Sequence, residues 1–210
     1  MGVGMKNKKI MIRNVFVCLL IVVLLCSALF CVRYQHTSSK RLAERWRGDV
    51  IAQYHSPLDK DGDGVDDQVD ILEGAIAYVN IHPKYKSAYY AGGYPNDGYG
   101  VCTDVVAHAL KAAGYDLMEL VSKDIEMHRD MYDVEIPDQN IDFRRVKNLY
   151  VFFNLNAESL STDLKDISEW QGGDIVIFKN HIAIVSDRRN VHGVPYVIHH
   201  ANPFQKRYEE

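Results

Sequence analysis

The chain has 210 residues, 47% of them apolar and 25% charged, with a formal net charge of -4. That balance supports an ordinary core and excludes wholesale disorder. It carries neither a concentrated basic face nor an aromatic-plus-arginine motif, which argues against nucleic acid as a partner. Of the four cysteines, Cys18, Cys26 and Cys31 fall in an N-terminal apolar run, so Cys102 stands alone in the remainder. A disulfide framework within one folded domain is thereby excluded.

Residues 1–14 are polar and basic, with Lys6, Lys8, Lys9 and Arg13. Residues 15–32 are then apolar throughout except for Ser27. That length reaches the lower limit for a transmembrane helix. A signal peptide is the competing reading, with residues 15–25 as its apolar region and Cys26 and Ala28 as the small residues before a cut. The run continues through Leu29, Phe30 and Val32, which favours an uncleaved anchor. Basic residues flank both ends, so the positive-inside rule votes only mildly for an inside N-terminus. Residues 37–55 read as a helix, capped by Ser38 or Ser39, with Leu42, Trp46, Val50 and Tyr54 at three-to-four spacing.

Residues 59–70 place oxygen-bearing side chains at the spacing of a calcium loop. Asp59, Asp61 and Asp63 occupy positions 1, 3 and 5. Gly64 permits the sharp turn, Val65 offers a backbone carbonyl at position 7, and Asp67 and Asp70 fall at positions 9 and 12. So many aspartates in so short a loop repel one another without a cation. The pattern resembles EF-hand loops, and more closely the dockerin type, because position 12 is Asp rather than Glu. With the expected helix before it and the periodic apolar residues Val69, Leu72, Ile76 and Val79 after it, the segment reads as helix–loop–helix.

His82 and Pro83 end that second helix. Tyr85, Tyr89 and Tyr90 precede a glycine-rich loop, residues 92–98, which leads into Cys102. The residues after Cys102 recur at helical spacing as far as Gly114, a C-cap. Cys102 therefore sits at a helix N-terminus, where the partial positive charge favours a thiolate. A second helix is expected over 116–132, with Met127 and Met131 in the core. Residues 137–149 read as an irregular polar loop that reaches toward a site, residues 146–154 as a short helix, and 159–166 as a loop. The chain then turns at Gly172-Gly173-Asp174 into three short strands, 175–178, 181–186 and 196–200, which form an antiparallel meander. The fold class expected is α+β, with N-terminal helices packed on a C-terminal antiparallel sheet.

Acyl transfer through a cysteine needs a base, a group to orient that base, and donors for the oxyanion. His181, at the start of a strand, is the best base. Residues two apart on a strand share a face, so His181, Ala183 and Val185 face one way. Val197, His199 and Ala201 share a face of the neighbouring strand, which lets His199 orient His181. His200 points the other way, a one-residue slip of register would exchange the two histidines, and Asn202 is a further candidate. Asp104, Asn140, Asp142 and Arg145 are the candidate substrate contacts.

This combination resembles the papain-like amidases of the NlpC and CHAP kind, whose pattern is a cysteine at a helix start, a Gly-Asp strand, and a histidine opening the next strand. The matching pieces are Gly100-Val101-Cys102-Thr103-Asp104, Gly173-Asp174-Ile175-Val176, His181-Ile182-Ala183-Ile184-Val185 and His199. From about Leu72 onward the chain is closer still to an uncharacterised bacterial family within that superfamily, through residues 102–106, 138–149 and Ile198-His199-His200. The resemblance implies a papain-like fold and hydrolysis of amide bonds such as those in peptidoglycan peptides. One departure is Val101 before Cys102, where NlpC-type endopeptidases usually carry Asp, so recognition of a free amino group is not implied.

The expected organisation is thus a cytoplasmic tail (1–14), a transmembrane anchor or signal peptide (15–32), a helix plus calcium loop (33–70) and a papain-like amidase domain (71–210). The expected protein is a single-pass cell-membrane cysteine amidase with its domain on the extracytoplasmic side. It would bind calcium structurally, use a Cys102–His181–His199 triad and need no catalytic cofactor. Two alternatives share the fold: a silent, calcium-stiffened wall- or peptide-binding module, and an acyltransferase working through the same thioester.

Overall fold

The structure is a computed structural model. It describes the backbone of residues 2–210 and the side chains of residues 10–32 and 36–210. The chain divides into a unit ending at Thr37 and a second unit, Ser38–Glu210. The first is one helix, α1 (Gly2–Gln35), which also takes in most of the basic segment expected as a tail. Its stretch Ile10–Val32, 23 residues, is long and apolar enough to cross a membrane. At ~1.5 Å per residue it reaches about 35 Å, against a hydrocarbon core of about 30 Å. The large apolar side chains along it are exposed, as in a membrane span or a signal sequence.

The second unit is a mixed α and β domain. Helices α2 (Asp67–Asn80), α3 (Cys102–Ala112), α4 (Leu117–Met127), α5 (Gln139–Asp142) and α6 (Val146–Asn156) precede strands β3 (Ile175–Phe178), β4 (His181–Arg189) and β5 (Pro195–Ile198). A two-residue parallel pair, β1 (Lys84–Tyr85) and β2 (Tyr99–Gly100), sits just before α3. The helix starts follow the local chemistry. Asp66 caps α2 by accepting N–H bonds from Gln68 and Val69, and Asp116 caps α4 in the same way through Met118 and Glu119.

The main sheet is the expected antiparallel meander, in the order β3-β4-β5. It gains an edge from the end of the chain. The Glu210 N–H donates to the Val197 carbonyl at 3.1 Å, the Val197 N–H to Glu210 at 3.0 Å, and the His199 N–H to the Tyr208 carbonyl at 2.8 Å. Helices α2 and α3 pack together and onto β4. Gly74 of α2 makes that approach possible, because a Cβ there would meet the Ala112 Cβ at 2.5 Å. Ala75, Val105, Val106, Ala109, Ile182 and Ile184 are fully buried at this junction. Each large member contributes about 1.5–3 kcal/mol through burial.

Three expectations fail here. Residues 37–55 form no helix. Their backbone groups are taken by distant chain instead: the Ser38 N–H donates to Lys206, the Tyr208 N–H to Ser38, and the Arg45 N–H to Arg189. The side chains reinforce this, since Arg41 reaches the buried Glu209 carboxylate at 2.8 Å and Glu44 accepts the Arg189 N–H at 2.9 Å. The segment is a strap along the sheet edge, and of its periodic apolar residues Val50 and Tyr54 are left exposed rather than lined up on a buried helix face. As a result the acidic loop has an outgoing helix, α2, but no incoming one, and is not a helix–loop–helix. Finally, α4 ends at Met127, and Met127 and Met131 are exposed rather than in the core.

Candidate active site

Cys102 is the first residue of α3. The glycine-rich approach ends in β2, pairing with β1, so the chain arrives at the helix tip in a fixed direction. The tip is held from beneath. Asp104 accepts the Val101 N–H at 2.8 Å, closing the first turn, and takes two bonds from the Arg144 guanidinium at 2.7 and 2.9 Å. Arg144 donates further to the Ala88 carbonyl at 2.6 Å, and its own carbonyl accepts the Thr103 hydroxyl at 3.3 Å. Asp104 is wholly buried. It is therefore a structural partner of Arg144 and not a substrate contact, which corrects the expectation.

Cys102 sits on α3 where that helix packs onto β4, and the backbone N–H donors of Ile182 and Thr103 act to lower its thiol. Those donors favour the thiolate, but burial outweighs them and pushes the Cys102 thiol up. The helix tip alone predicted the opposite direction; the enclosing sheet and helix decide it. The Tyr85 hydroxyl is pushed up, by burial first and by the charge on Cys102 second.

His181 opens β4, and its Nε2 lies 2.7 Å from His199 Nδ1, one of them donating. The cause is register. Ile184 pairs with Ile198 and Val185 with Val197, so continuing the pairing sets Ala183 against His199 and makes His181 the diagonal neighbour on the same face. Burial lowers both imidazoles to about 4. His200 points away, with its ring edge-on to Tyr85 and Tyr208 at 5.3 and 5.1 Å. It is buried and likewise lowered to about 4.

The Gly173-Asp174 turn has a structural purpose. Gly173 adopts φ +97°, and a Cβ there would meet the Gln68 carbonyl oxygen at 2.3 Å. Asp174 then accepts the Gln171 N–H at 2.7 Å and the Gln68 side chain at 2.8 Å, locking β3 to α2.

The remaining candidate substrate contacts stand elsewhere. Asp142 is buried, accepting the Asp138 N–H at 2.7 Å, and is a structural group, a second correction. Asn140 fastens the glycine-rich loop, accepting the Gly92 N–H at 2.9 Å and donating to the Tyr89 hydroxyl at 3.2 Å. Arg145 is half exposed and lies 3.4 Å from Asp142. Among the described residues, no hydrogen bond or ion pair links Asn140 or Arg145 to Cys102, His181 or His199. Sequence reading passed over Arg144 as the residue that holds the helix tip. A lone arginine in a charged stretch looks solvated until the carboxylate opposite it is known.

In the acidic loop, Asp59, Asp61 and Asp63 bring carboxylate oxygens within 4.8 Å of one another. Gly64 has φ +94°, as the turn requires. Burial and the carboxylates of Asp63, Asp61, Asp59 and Asp67 push Asp70 up, and its Oδ2 is buried without a hydrogen-bond partner, although Asp70 is not one of the three clustered carboxylates. Asp67 differs. Its two oxygens accept the Lys60 N–H at 2.7 Å and the Tyr115 hydroxyl at 2.5 Å, so it braces the loop against the α3–α4 connection and stands outside the cluster.

Residues 72–210 match the family described as "Domain of unknown function (DUF1287)", and the chain belongs to that family. It is also similar to the "Uncharacterized protein YijF" of Escherichia coli (strain K12), with 38% identity over 142 residues, covering 61% of this chain and 69% of that protein. No solved structure matches it. Cys102, Arg144, His181 and His199 all lie inside the family region, whereas the acidic loop precedes it.

Proposed function

We propose that this protein is a cysteine amidase of papain-like mechanism that acts on peptide amides, with peptidoglycan peptides as the substrate class, on the extracytoplasmic side of the membrane. The observation that supports the reading is that Cys102 opens α3, which packs onto β4, while β4 opens with His181, whose Nε2 lies 2.7 Å from His199 Nδ1. With the thiol raised and His181 lowered, both rest neutral near pH 7. Attack is then coupled to proton transfer. The Cys102 proton passes to His181 as sulfur adds to the carbonyl, and the imidazolium returns it to the leaving amine. A water, deprotonated by the same ring, then hydrolyses the thioester. The Cys102 N–H at the helix tip and the Tyr85 hydroxyl are the donors for the oxyanion.

The acidic loop fits a hard cation, and we assign calcium to Asp59, Asp61, Asp63 and Asp70, with the Val65 carbonyl completing the set and Asp67 bracing it. Bound there, calcium supplies stiffness and no chemistry. High ambient calcium outside the cell favours that location. The helix α1 would serve as the anchor.

The raised thiol also supports the rival reading, a binding module that does no chemistry. One experiment separates the two. The protein and a Cys102→Ala variant are incubated with muropeptides and new peptide ends are read by mass spectrometry. Products from the wild type alone support the amidase. Equal cleavage by both proteins, or intact peptides bound tightly by both, refutes it.

A further inference from the structure

Resting on that reading, we propose that Glu210 is a positioning residue that fixes the tautomers of His199 and His181, making a four-membered row from thiol to carboxylate. The backbone places it. Glu210 pairs with Val197 through two hydrogen bonds, of 3.0 and 3.1 Å, and residue 209 bridges to Ile198. Val197 and His199 share a strand face, so Glu210 is the diagonal neighbour of His199 on one side just as His181 is on the other. Its Oε1 lies 3.3 Å from His199 Nε2. That nitrogen is buried and has no formed hydrogen bond. The Glu210 side chain is half exposed and has room to turn into line.

The chemistry follows from counting protons. For His181 to take the thiol proton, its Nδ1 must carry a lone pair, so its hydrogen sits on Nε2 and is donated to His199. His199 Nδ1 is then an acceptor and its hydrogen sits on Nε2. A buried N–H needs an acceptor, and Glu210 Oε1 is the one within reach. A carboxylate at that position selects one tautomer in two rings at once, and the second ring is the base. Without it either ring is free to exchange its tautomer, and His181 spends part of its time with a protonated Nδ1 that cannot accept from sulfur.

The test uses the full chain in detergent micelles with ¹⁵N-labelled histidines, and both readouts are taken without substrate. They therefore stand or fall apart from the hydrolase reading. Long-range ¹H–¹⁵N spectra at pH 7.5 report the tautomer of each ring, and iodoacetamide reports the reactivity of Cys102. The expected result is Nε2–H for both His181 and His199 in the wild type. Glu210→Ala should give mixed tautomers and several-fold slower alkylation, and Glu210→Gln, which keeps an acceptor oxygen, should restore the single tautomer. An Nδ1–H tautomer of His199 in the wild type, or a Glu210→Ala variant with unchanged spectra and alkylation rate, overturns the proposal.

Discussion

Two polar clusters in this domain are built on opposite principles. Around Cys102 the fold itself partners the main polar groups, Asp104 with Arg144 and His181 with His199, and leaves ring nitrogens of His199 and His200 buried without a hydrogen bond. In the acidic loop the carboxylates of Asp59, Asp61 and Asp63 are exposed and satisfied only by their own turn, as when Asp59 accepts the Gly62 N–H at 2.8 Å. A buried charge such as Asp104 must find its partner as the chain folds, since an unpaired one costs several kcal/mol. An exposed cluster tolerates its own repulsion in water and gains its main stabilisation from a cation. The first is therefore expected to respond to mutation and pH, and the second to metal.

The largest effect should come from the reacting groups. Cys102→Ala is expected to abolish muropeptide hydrolysis, and His181→Ala to lower it by about 10³-fold or more, both with unchanged circular dichroism. Acid comes next. The rings of His181, His199 and His200 are held near 4 in the folded chain by burial, against an ordinary value of 6.5. The unfolded chain takes up protons first as pH falls, so stability is fully present above about 6.5 and is lost progressively toward pH 4. Thermal melts from pH 7.5 down to 4.5 should fall throughout, and a flat profile would mean that these rings are hydrated.

Breaking the buried pair is third. Arg144→Met leaves Asp104 charged and enclosed, and is expected to cost about 3–5 kcal/mol in chemical denaturation. Replacing both partners, Asp104→Leu with Arg144→Met, should recover much of that loss. Calcium is fourth, and it acts on the other cluster. At a hundredfold excess over its dissociation constant, calcium should add about 2.7 kcal/mol. The gain should vanish in Asp61→Asn/Asp63→Asn and persist in Cys102→Ala. A gain retained in the doubly substituted loop would remove the metal assignment.

The sequence was most legible where local rules suffice. The periodic apolar run from Val69 marked α2, the helix expected from 116 marked α4, and the alternation after His181 gave the face that brings it to His199. It misled where a partner far along the chain takes over. Leu42, Trp46, Val50 and Tyr54 have helical spacing, yet Lys206, Tyr208 and Arg189 claim the backbone groups of Ser38 and Arg45. Asp104 and Asp142 looked like ligand-binding acids because they lie near Cys102 or in a polar loop. Only the enclosing chain, Arg144 for one and the Asp138 turn for the other, shows that they are structural. The direction of the Cys102 shift was likewise set by burial, which a helix-tip argument does not see.

The account depends on sulfur and imidazole acting as one unit. Mixing the protein with muropeptides, quenching in acid within seconds and weighing the Cys102 peptide tests that directly. The account predicts a mass gain equal to the acyl half of the substrate, on Cys102 alone, which decays as product appears. Product released at the same rate by the Cys102→Ala variant, with no acylated peptide at any time, would contradict it.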